Sequence, residues 1–443
     1  MSARAFWCER AWLGGEGVEP GVLVSIDGEL IEAVELGSTE PPPGAERLGG
    51  LVVPGLANAH SHAFHRALRG HTQRGRGSFW TWRERMYEVA AALDPDTYRR
   101  LARAVFGEMA LAGITAVGEF HYLHHGLGGT PYDDPNAMGE ALIAAADDAG
   151  IRITLLDTCY LHGGIGEEPN ETQRRFSDGD AMRWAERVGG LDARGGARVG
   201  AAIHSVRAVD PEAMAAVAGW ATARDCPLHA HLSEQPAENE ACEAAYGVSP
   251  AQLLADAGAL SPRFTAVHAT YLSDADVGLL GSSRCCCCMC PTTERDLADG
   301  VGRARDLLDA GGSMSLGSDS HAVIDILEEA RAVELDERLA TNERGRHGAV
   351  ELLTAATSAG HESIGWPEAG RIEPGAMADL VSIRLDSVRT AGAGDDIDAA
   401  VFAASAADVD TVVCSGEIVV SGGRHQDIDV PAELSGAIAE VLA

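Results

Sequence analysis

Two histidines separated by one residue, His60 and His62, offer the clearest chemistry in the sequence. They follow an apolar stretch that begins at Leu51 and contains the dipeptide Pro54-Gly55. Residues i and i+2 of a β-strand point to the same face, so both imidazoles could bind one transition-metal ion. A histidine pair of this kind is weak evidence by itself, so the rest of the chain must supply further ligands and a proton carrier.

Two more candidate ligands, His231 and Asp319, also stand at the ends of apolar runs. Together with His60 and His62 they give three imidazoles and one carboxylate, which suits Zn²⁺ or Fe²⁺ and leaves room for a water molecule. A metal ion in such a site brings the pKa of a bound water towards neutrality. We therefore predict one divalent metal ion per subunit, Zn²⁺ with Fe²⁺ as the alternative.

Glu234 and His268 are the candidate proton carriers. Glu234 comes three residues after His231, where a strand would turn into its loop, and could accept a proton from water. This spacing favours His231 over His229 as the ligand, and His229 is interpreted as a packed core residue. His268 could polarise the water or hold the leaving group. The alternative for His268 is a strand-end histidine bonded to a backbone carbonyl.

The elements that must position these residues are strand-like apolar runs alternating with Ala-rich helical stretches. Eight such runs occur, at residues 51–60, 114–120, 151–158, 197–204, 227–232, 264–268, 285–290 and 313–319. Repeated strand–helix units with apolar strands predict a parallel sheet covered by helices, and eight units predict a closed (β/α)8 TIM-type barrel. The active site of such a barrel lies at the C-terminal ends of its strands, where these chemical residues stand.

Both ends of the chain are typical of short strands and turns. Asp27-Gly28 and Ser415-Gly416 are hairpin signals. We predict that residues 1–50 and 371–443 form one small, discontinuous β-sandwich-like domain beside a barrel of residues 51–370. The tail from residue 430 onwards is predicted to be a helix.

The composition excludes several functions. The sequence contains no lysine, and all 34 basic residues are arginine. This excludes a P-loop lysine, a pyridoxal-phosphate Schiff base and a carbamylated lysine bridging two metals. The net charge of −33 argues against nucleic acid or an anionic membrane surface as a partner. The chain has no run of 18 apolar residues and no signal-peptide core at its start, so we expect a cytoplasmic protein.

Cysteine is concentrated in the run from Cys285 to Cys288, followed by Cys290. Consecutive cysteines are poorly spaced for a tetrahedral thiolate cage. Because cysteine is a small and often buried residue, packing is the preferred interpretation, and a redox or second metal role is the alternative.

Several motifs together resemble the amidohydrolase superfamily, in its cytosine-deaminase-like branch. They are Pro54-Gly55 with His60-x-His62, His231-x-x-Glu234, His268, Gly317-Ser-Asp319 and the closing Gly375-x-x-Ala-Asp-Leu-Val. The resemblance covers nearly the whole chain and implies a metal-dependent hydrolase that forms a homodimer. Members with two metals usually bridge them with a carbamylated lysine, so the lysine-free sequence agrees with a single metal.

A finer resemblance is to the formimidoylglutamate deiminase family. The matching blocks are His60-Ser-His-Ala-Phe64, Phe79-Trp-Thr-Trp-Arg-Glu84, Glu119-Phe-His-Tyr-Leu-His-His125, His204-Ser-Val-Arg207, Cys290-Pro-Thr-Thr-Glu294 and Gly317-Ser-Asp-Ser-His-Ala-Val-Ile-Asp325. The resemblance implies hydrolysis of N-formimino-L-glutamate to N-formyl-L-glutamate and ammonia, a step of histidine degradation. For this hydrolysis we expect Glu234 to take a proton from water and deliver it to the formimino nitrogen. His268 and Asp319 are expected to stabilise the tetrahedral intermediate.

The substrate implied by this resemblance is a small dianion, and arginine is the side chain suited to bidentate carboxylate capture. The matching blocks contain Arg83 and Arg207 for that role, with Tyr122 and His204 as neutral donors. His65 stands where the family often has a glutamine that contacts the substrate. Histidine can still donate one hydrogen bond, which leaves a shifted carboxylate pocket or an altered affinity open.

Two rival functions remain at this point. One is a deaminase of a purine, pyrimidine or triazine ring, which would favour an apolar slot over the two arginines. The other is a catalytically inactive scaffold or binding protein, which would be expected to lack metal ligands.

Residues 69–78, rich in glycine and arginine, are a candidate lid.

Overall fold

The computed structural model describes residues 4–15, 17–73, 79–191 and 193–443, and its strands form two eight-stranded sheets. In chain order the strands are β1 (Arg4–Trp12), β2 (Val18–Asp27), β3 (Leu30–Glu35), β4 (Glu46–Pro54), β5 (Leu56–Ser61), β6 (Ile114–His121), β7 (Arg152–Cys159), β8 (Ala197–Ile203), β9 (Leu228–Leu232), β10 (Phe264–His268), β11 (Cys286–Met289), β12 (Ser313–Leu316), β13 (Leu380–Ile383), β14 (Val409–Cys414), β15 (Glu417–Ser421) and β16 (Arg424–His425).

Helices connect the strands and cover the barrel. They are α1 (Phe79–Ala92), α2 (Pro95–Leu111), α3 (Ala137–Asp148), α4 (Ala181–Val188), α5 (Pro211–Arg224), α6 (Pro236–Tyr246), α7 (Pro250–Asp256), α8 (Asp274–Ser282), α9 (Pro291–Leu297), α10 (Ala304–Asp309), α11 (Ile326–Thr341), α12 (Ala349–Ala356), α13 (Ser358–Ser363), α14 (Ile397–Phe402) and α15 (Val430–Val441). The predicted tail helix is α15. Within the described ranges, no helix is both long and apolar enough to cross a membrane.

Strands β5 to β12 pair in parallel in chain order and form the predicted barrel. The ring closes between β5 and the end of β12. There the backbone amide of Asp319 donates to the carbonyl of His60 (N···O 3.0 Å), and the amide of His62 donates to the carbonyl of Asp319 (3.3 Å). The predicted fold class is confirmed, and the closing contacts join the segments that carry three of the four candidate ligands.

The prediction that residues 51–60 form one strand was wrong. The structure divides it at Gly55 into β4, which belongs to the terminal sheet, and β5, which belongs to the barrel. A Cβ atom at Gly55 would lie 2.2 Å from Oγ1 of Thr115 and 2.7 Å from Cβ of Asp379. Only glycine fits this crossing, because the chain passes from one sheet to the other against packed neighbours.

The terminal sheet contains strands from both ends of the chain, in the order β16-β15-β14-β13-β4-β1-β2-β3. A buried ion pair joins it to the barrel: Nη1 of Arg152 on β7 donates to Oδ1 of Asp379 (2.9 Å), and Nη2 donates to Oδ2. The amide of Ser415 donates to the same carboxylate (2.9 Å). Burial opposes the charge of Asp379, but the Arg152 guanidinium lowers the pKa of this carboxyl below its usual value.

The cysteine run lies on and beside β11, where all of its thiols are buried. The thiol of Cys286 lies 3.3 Å from Oγ of Ser315. Cys288 and Cys290 belong to a buried apolar cluster that also contains Ala57, Val267 and Trp366. These contacts agree with the packing interpretation.

Candidate active site

The four candidate metal ligands come together at the C-terminal end of the barrel. His60 and His62 stand at the end of β5, His231 is on β9, and Asp319 follows β12. Oδ1 of Asp319 lies 3.4 Å from Nε2 of His60 and 3.4 Å from Nε2 of His62, and Nε2 of His231 lies 3.1 Å from Nε2 of His60. These four residues, the His3Asp cluster, are all buried and can each offer one atom to the same centre.

The His3Asp cluster fits a divalent ion. Ligand atoms that are each about 2.0–2.2 Å from one ion have separations of this size. Nδ1 of His62 is hydrogen-bonded to the carbonyl of Phe120 (2.9 Å), and Nδ1 of His231 to the carbonyl of His204 (2.9 Å). These bonds orient both rings so that Nε2 faces the centre, an arrangement typical of metal-binding histidines.

The electrostatics of the His3Asp cluster also favour a cation. Burial lowers the pKa of His62 to about 3 and that of His231 well below its usual value, so these imidazoles are neutral, as metal ligands must be. Burial opposes the charge of Asp319, but hydrogen bonding and charge at His60 hold the pKa of this carboxyl well below its usual range. Three neutral imidazoles and one anion therefore surround the centre.

Close packing of β12 against β5 sets the position of Asp319. A Cβ atom at Gly317 would lie 2.7 Å from Cβ of His60, so glycine is required at this point. Asp319 itself has a positive φ of 40°, a conformation that costs energy for a residue with a side chain. Local strain of this kind is common at functional sites.

His268 lies among three carboxylates. Its Nε2 is 3.8 Å from Oε1 of Glu234 and 3.7 Å from Oδ2 of Asp319, while its Nδ1 is 3.3 Å from Oε1 of Glu294. Burial opposes protonation, but the hydrogen bond to Glu294 and the charges of Glu234 and Asp319 raise the pKa of His268 well above its usual value. Both ring nitrogens of His268 thus face carboxylates. The alternative prediction, a histidine bonded to a backbone carbonyl, does not describe these contacts.

A cavity of about 280 Å³ opens beside the His3Asp cluster. Its lining includes every residue predicted to contact substrate, together with the candidate proton carriers: His65, Arg83, Tyr122, His204, Arg207, Glu234 and His268. The structure therefore brings the candidate metal, proton-transfer and substrate residues to one space.

The polar side chains of the cavity are suited to donate hydrogen bonds. Burial raises the pKa of Tyr122 well above its usual value and, with the charge of Arg207, lowers that of His204 well below its usual value. Both groups are therefore neutral. Nε2 of His65 is hydrogen-bonded to the hydroxyl of Tyr122 (3.0 Å), and its ring packs edge-on against Trp82.

The two cavity arginines have different surroundings. The guanidinium of Arg83 lies 5.7 Å from the ring centre of Tyr87. Arg207 is paired with two carboxylates: its Nη2 is 3.2 Å from Oε2 of Glu234, and its Nε is 3.2 Å from Oε2 of Glu238. Burial raises the pKa of Glu238, with the Arg207 charge opposing this.

Sequence reasoning missed Glu238 and Glu294. Both stand in the first turn of a helix, α6 and α9 respectively, that follows a barrel strand. The available signal was their spacing, four residues after Glu234 and four after Cys290. His268, Cys290 and Glu294 form a second buried group whose ligand atoms lie close together.

Other buried histidines of the barrel have simple structural surroundings. Nε2 of His229 is hydrogen-bonded to the carbonyl of Ser363 (2.9 Å) in the barrel interior. His121 and His124 lie near Asp157, but both carboxylate oxygens of Asp157 accept hydrogen bonds from Arg187. This pairing satisfies the carboxylate without a metal.

The candidate lid is described only in part, because residues 74–78 lie outside the described ranges. Arg69, at its start, donates from Nε to the carbonyl of His321 (2.6 Å) and from Nη1 to Glu108 (2.6 Å). The lid therefore stays a prediction.

Comparison with known proteins agrees with this geometry. The model of the amidohydrolase family matches residues 51–419. Formimidoylglutamate deiminase of Pseudomonas aeruginosa is 37% identical over 438 residues, 95% of each chain.

Solved structures give the same relationship. An amidohydrolase from Brucella melitensis superposes with a TM-score of 0.91 at 35% identity, covering 99% of this chain and 100% of that one. An atrazine chlorohydrolase from Arthrobacter aurescens, solved as a complex with zinc, gives a TM-score of 0.87 at 25% identity and 99% coverage of both chains.

Proposed function

The chain belongs to the amidohydrolase family, and we propose that it hydrolyses N-formimino-L-glutamate to N-formyl-L-glutamate and ammonia. The observation that carries the proposal is one cavity that joins the His3Asp cluster to Arg83 and Arg207. A cationic amidine group and two carboxylates make up this substrate, and the cavity is lined both by carboxylates, Glu234 and Asp319 among them, and by the two guanidinium groups.

The His3Asp cluster would hold one divalent metal ion, zinc in this proposal with Fe²⁺ as the alternative. When bound, such an ion supplies Lewis-acid polarisation and activates water at neutral pH. The neutral imidazoles, the ionised Asp319 and the zinc complex of the chlorohydrolase support the choice.

The proton transfers are assigned to Glu234. Its carboxylate lines the cavity and can take a proton from the attacking water and deliver it to the formimino nitrogen, which leaves as ammonia. His268 and Asp319 flank this position, with a nitrogen–oxygen separation of 3.7 Å between them. His268 would donate a hydrogen bond to the oxygen that adds to the formimino carbon and so stabilise the tetrahedral intermediate.

The carboxylates of the substrate are assigned to Arg207 and Arg83. Arg207 is largely buried, with 17% of its side chain exposed. Burial opposes its charge, but Glu238 and Glu234 raise the pKa of Arg207 above its usual value, so it stays charged. Tyr122, His204 and His65 would donate the remaining hydrogen bonds. Guanidinium forks and neutral donors together favour a dianion over an uncharged ring.

The rival substrate class is a purine, pyrimidine or triazine ring, and the atrazine chlorohydrolase relative is the specific observation in its favour. Ammonia release by the zinc-loaded protein should be compared for N-formimino-L-glutamate, guanine, cytosine and adenosine. We expect kcat/KM to be highest for N-formimino-L-glutamate. Higher kcat/KM with a ring substrate would overturn the proposal, and a protein without bound metal or turnover would favour the inactive scaffold.

Cytoplasmic location and a homodimer are part of the same proposal. All ten cysteines are free thiols, which suits a reducing compartment. The dimer rests on the family resemblance alone, and sedimentation equilibrium of the purified protein would test it.

A further inference from the structure

The pairing of Arg207 with Glu234 points to a link between substrate binding and proton transfer. We propose that a substrate carboxylate displaces Glu234 from Arg207, so that the proton carrier is released only when a dicarboxylate occupies the cavity. This inference rests on the proposed function and deepens it, because it explains how the site would choose among amidines.

The contacts around Arg207 show which groups take part in this displacement. Nη2 of Arg207 lies 3.2 Å from Oε2 of Glu234, while Oε1 of Glu234 faces Nε2 of His268 at 3.8 Å. Oε2 of the proton carrier is therefore held by a guanidinium. Proton transfer needs a basic lone pair that can turn towards water, and the bond to Arg207 makes Glu234 both less basic and less free to turn.

Glu238 keeps Arg207 in place while Glu234 leaves. Its Oε2 lies 3.2 Å from Nε of Arg207, and its Oε1 accepts the amide of Ser233 (3.0 Å). Its side chain is fully buried, which fixes this end of the guanidinium. Arg207 and Glu234 both line the cavity that receives the substrate, so an incoming carboxylate competes with Glu234 for the guanidinium.

The competition is electrostatic. Three carboxylates around one guanidinium repel one another at short range, and the repulsion is strong because these side chains are largely buried. Since Glu238 is anchored, the arriving carboxylate is expected to move Glu234 towards the amidine. Binding energy from the remote end of the substrate is thereby used at the reacting end.

The test divides the substrate into two pieces, formamidine and glutarate. Formamidine undergoes the same reaction, HN=CH–NH2 + H2O → O=CH–NH2 + NH3, and glutarate supplies the two carboxylates. We expect saturating glutarate to raise kcat/KM for formamidine by roughly 5- to 150-fold, the usual range for coupling between two sites. Glutarate that only inhibits, or leaves ammonia release unchanged, overturns the inference.

Two arginine variants separate binding of glutarate from release of Glu234. In Arg207→Gln no guanidinium holds Glu234, so formamidine hydrolysis without glutarate should already reach the rate that glutarate gives in the wild type, and glutarate should not raise it further. In Arg83→Gln we expect stimulation to remain, at higher glutarate concentrations. Loss of stimulation in Arg83→Gln at saturation, or its persistence in Arg207→Gln, contradicts the inference.

A crystal structure with glutarate bound provides a readout independent of turnover. The Nη2–Oε2 separation should rise beyond hydrogen-bonding distance, whereas a retained contact near 3.2 Å overturns the inference. The proposed function fails separately, if N-formimino-L-glutamate itself is not hydrolysed. If that substrate is hydrolysed and glutarate does not stimulate, only the coupling is wrong.

Discussion

Removal of the charge of Asp379 should destabilise the protein by breaking the ion pair between barrel and terminal sheet. In Asp379→Asn the guanidinium of Arg152 stays buried beside a neutral amide. Removing one partner of a buried, doubly hydrogen-bonded ion pair lowers the free energy of unfolding by about 3–5 kcal/mol. With an unfolding entropy of about 2.1 cal/mol/K per residue, a chain of 443 residues that unfolds as one unit should lose about 3–5 °C in Tm.

The matched control is an exposed pair, Arg85 and Glu88 on α1, whose side chains are 64% and 63% exposed. Arg85→Ala should lower Tm by less than about 1 °C, because exposed pairs contribute about 0–1 kcal/mol. Differential scanning calorimetry of the wild type and both variants measures the shifts. Equal shifts in the two variants, or no shift in Asp379→Asn, would refute the reasoning.

The pH dependence of this ion pair has a definite sign. The folded-state pKa of Asp379 is lowered from 3.8, so its stabilisation is fully present above about pH 4 and is lost as the pH falls below that value. The difference in Tm between wild type and Asp379→Asn should therefore shrink below pH 4. A difference that grows on acidification would contradict the assignment.

Three further outcomes concern the active site. Glu234→Gln should keep its metal content, measured by mass spectrometry, and lose about 10²–10⁴-fold in kcat; near-normal turnover would contradict its role. Chelation should lower Tm and added zinc should restore it, because an ion bound only by the folded state stabilises that state; His231→Ala should abolish the zinc response. His65→Gln should change KM for N-formimino-L-glutamate more than kcat, since His65 contacts Tyr122 at the substrate side of the cavity; an equal change in both constants would contradict this position.

The sequence was sufficient to predict the barrel and the convergence of its candidate residues. Parallel strands align their C-terminal ends, so His60, His231 and Asp319 could be grouped without knowing any contact. The convergence of these residues could be predicted because the strands are apolar runs that are easy to recognise in the sequence.

Residues whose role depends on a specific contact could not be predicted in the same way. Glu238 reaches Arg207 from the first turn of α6, and Glu294 reaches His268 from the first turn of α9. Acidic residues are common in the first turn of helices because of the helix dipole, so their type and their spacing from Glu234 and Cys290 were too weak a signal to predict either contact. Gly55 was noted as part of a Pro-Gly dipeptide, but its role as the crossing between the two sheets could not be predicted, because its tight neighbours, Thr115 and Asp379, are far away in the sequence.

The crossing at Gly55 limits how this protein can be engineered. Strand β4 lies within the terminal sheet, and five residues beyond Gly55 the same chain reaches His60. A deletion or exchange of the terminal segments that removes β4 would leave β5 with a free end, and the other end of β5 carries His60 and leads directly to His62, two of the candidate metal ligands. Chimeras between relatives should therefore place their N-terminal junction before β4, so that the segment from β4 to His62 is inherited from one parent.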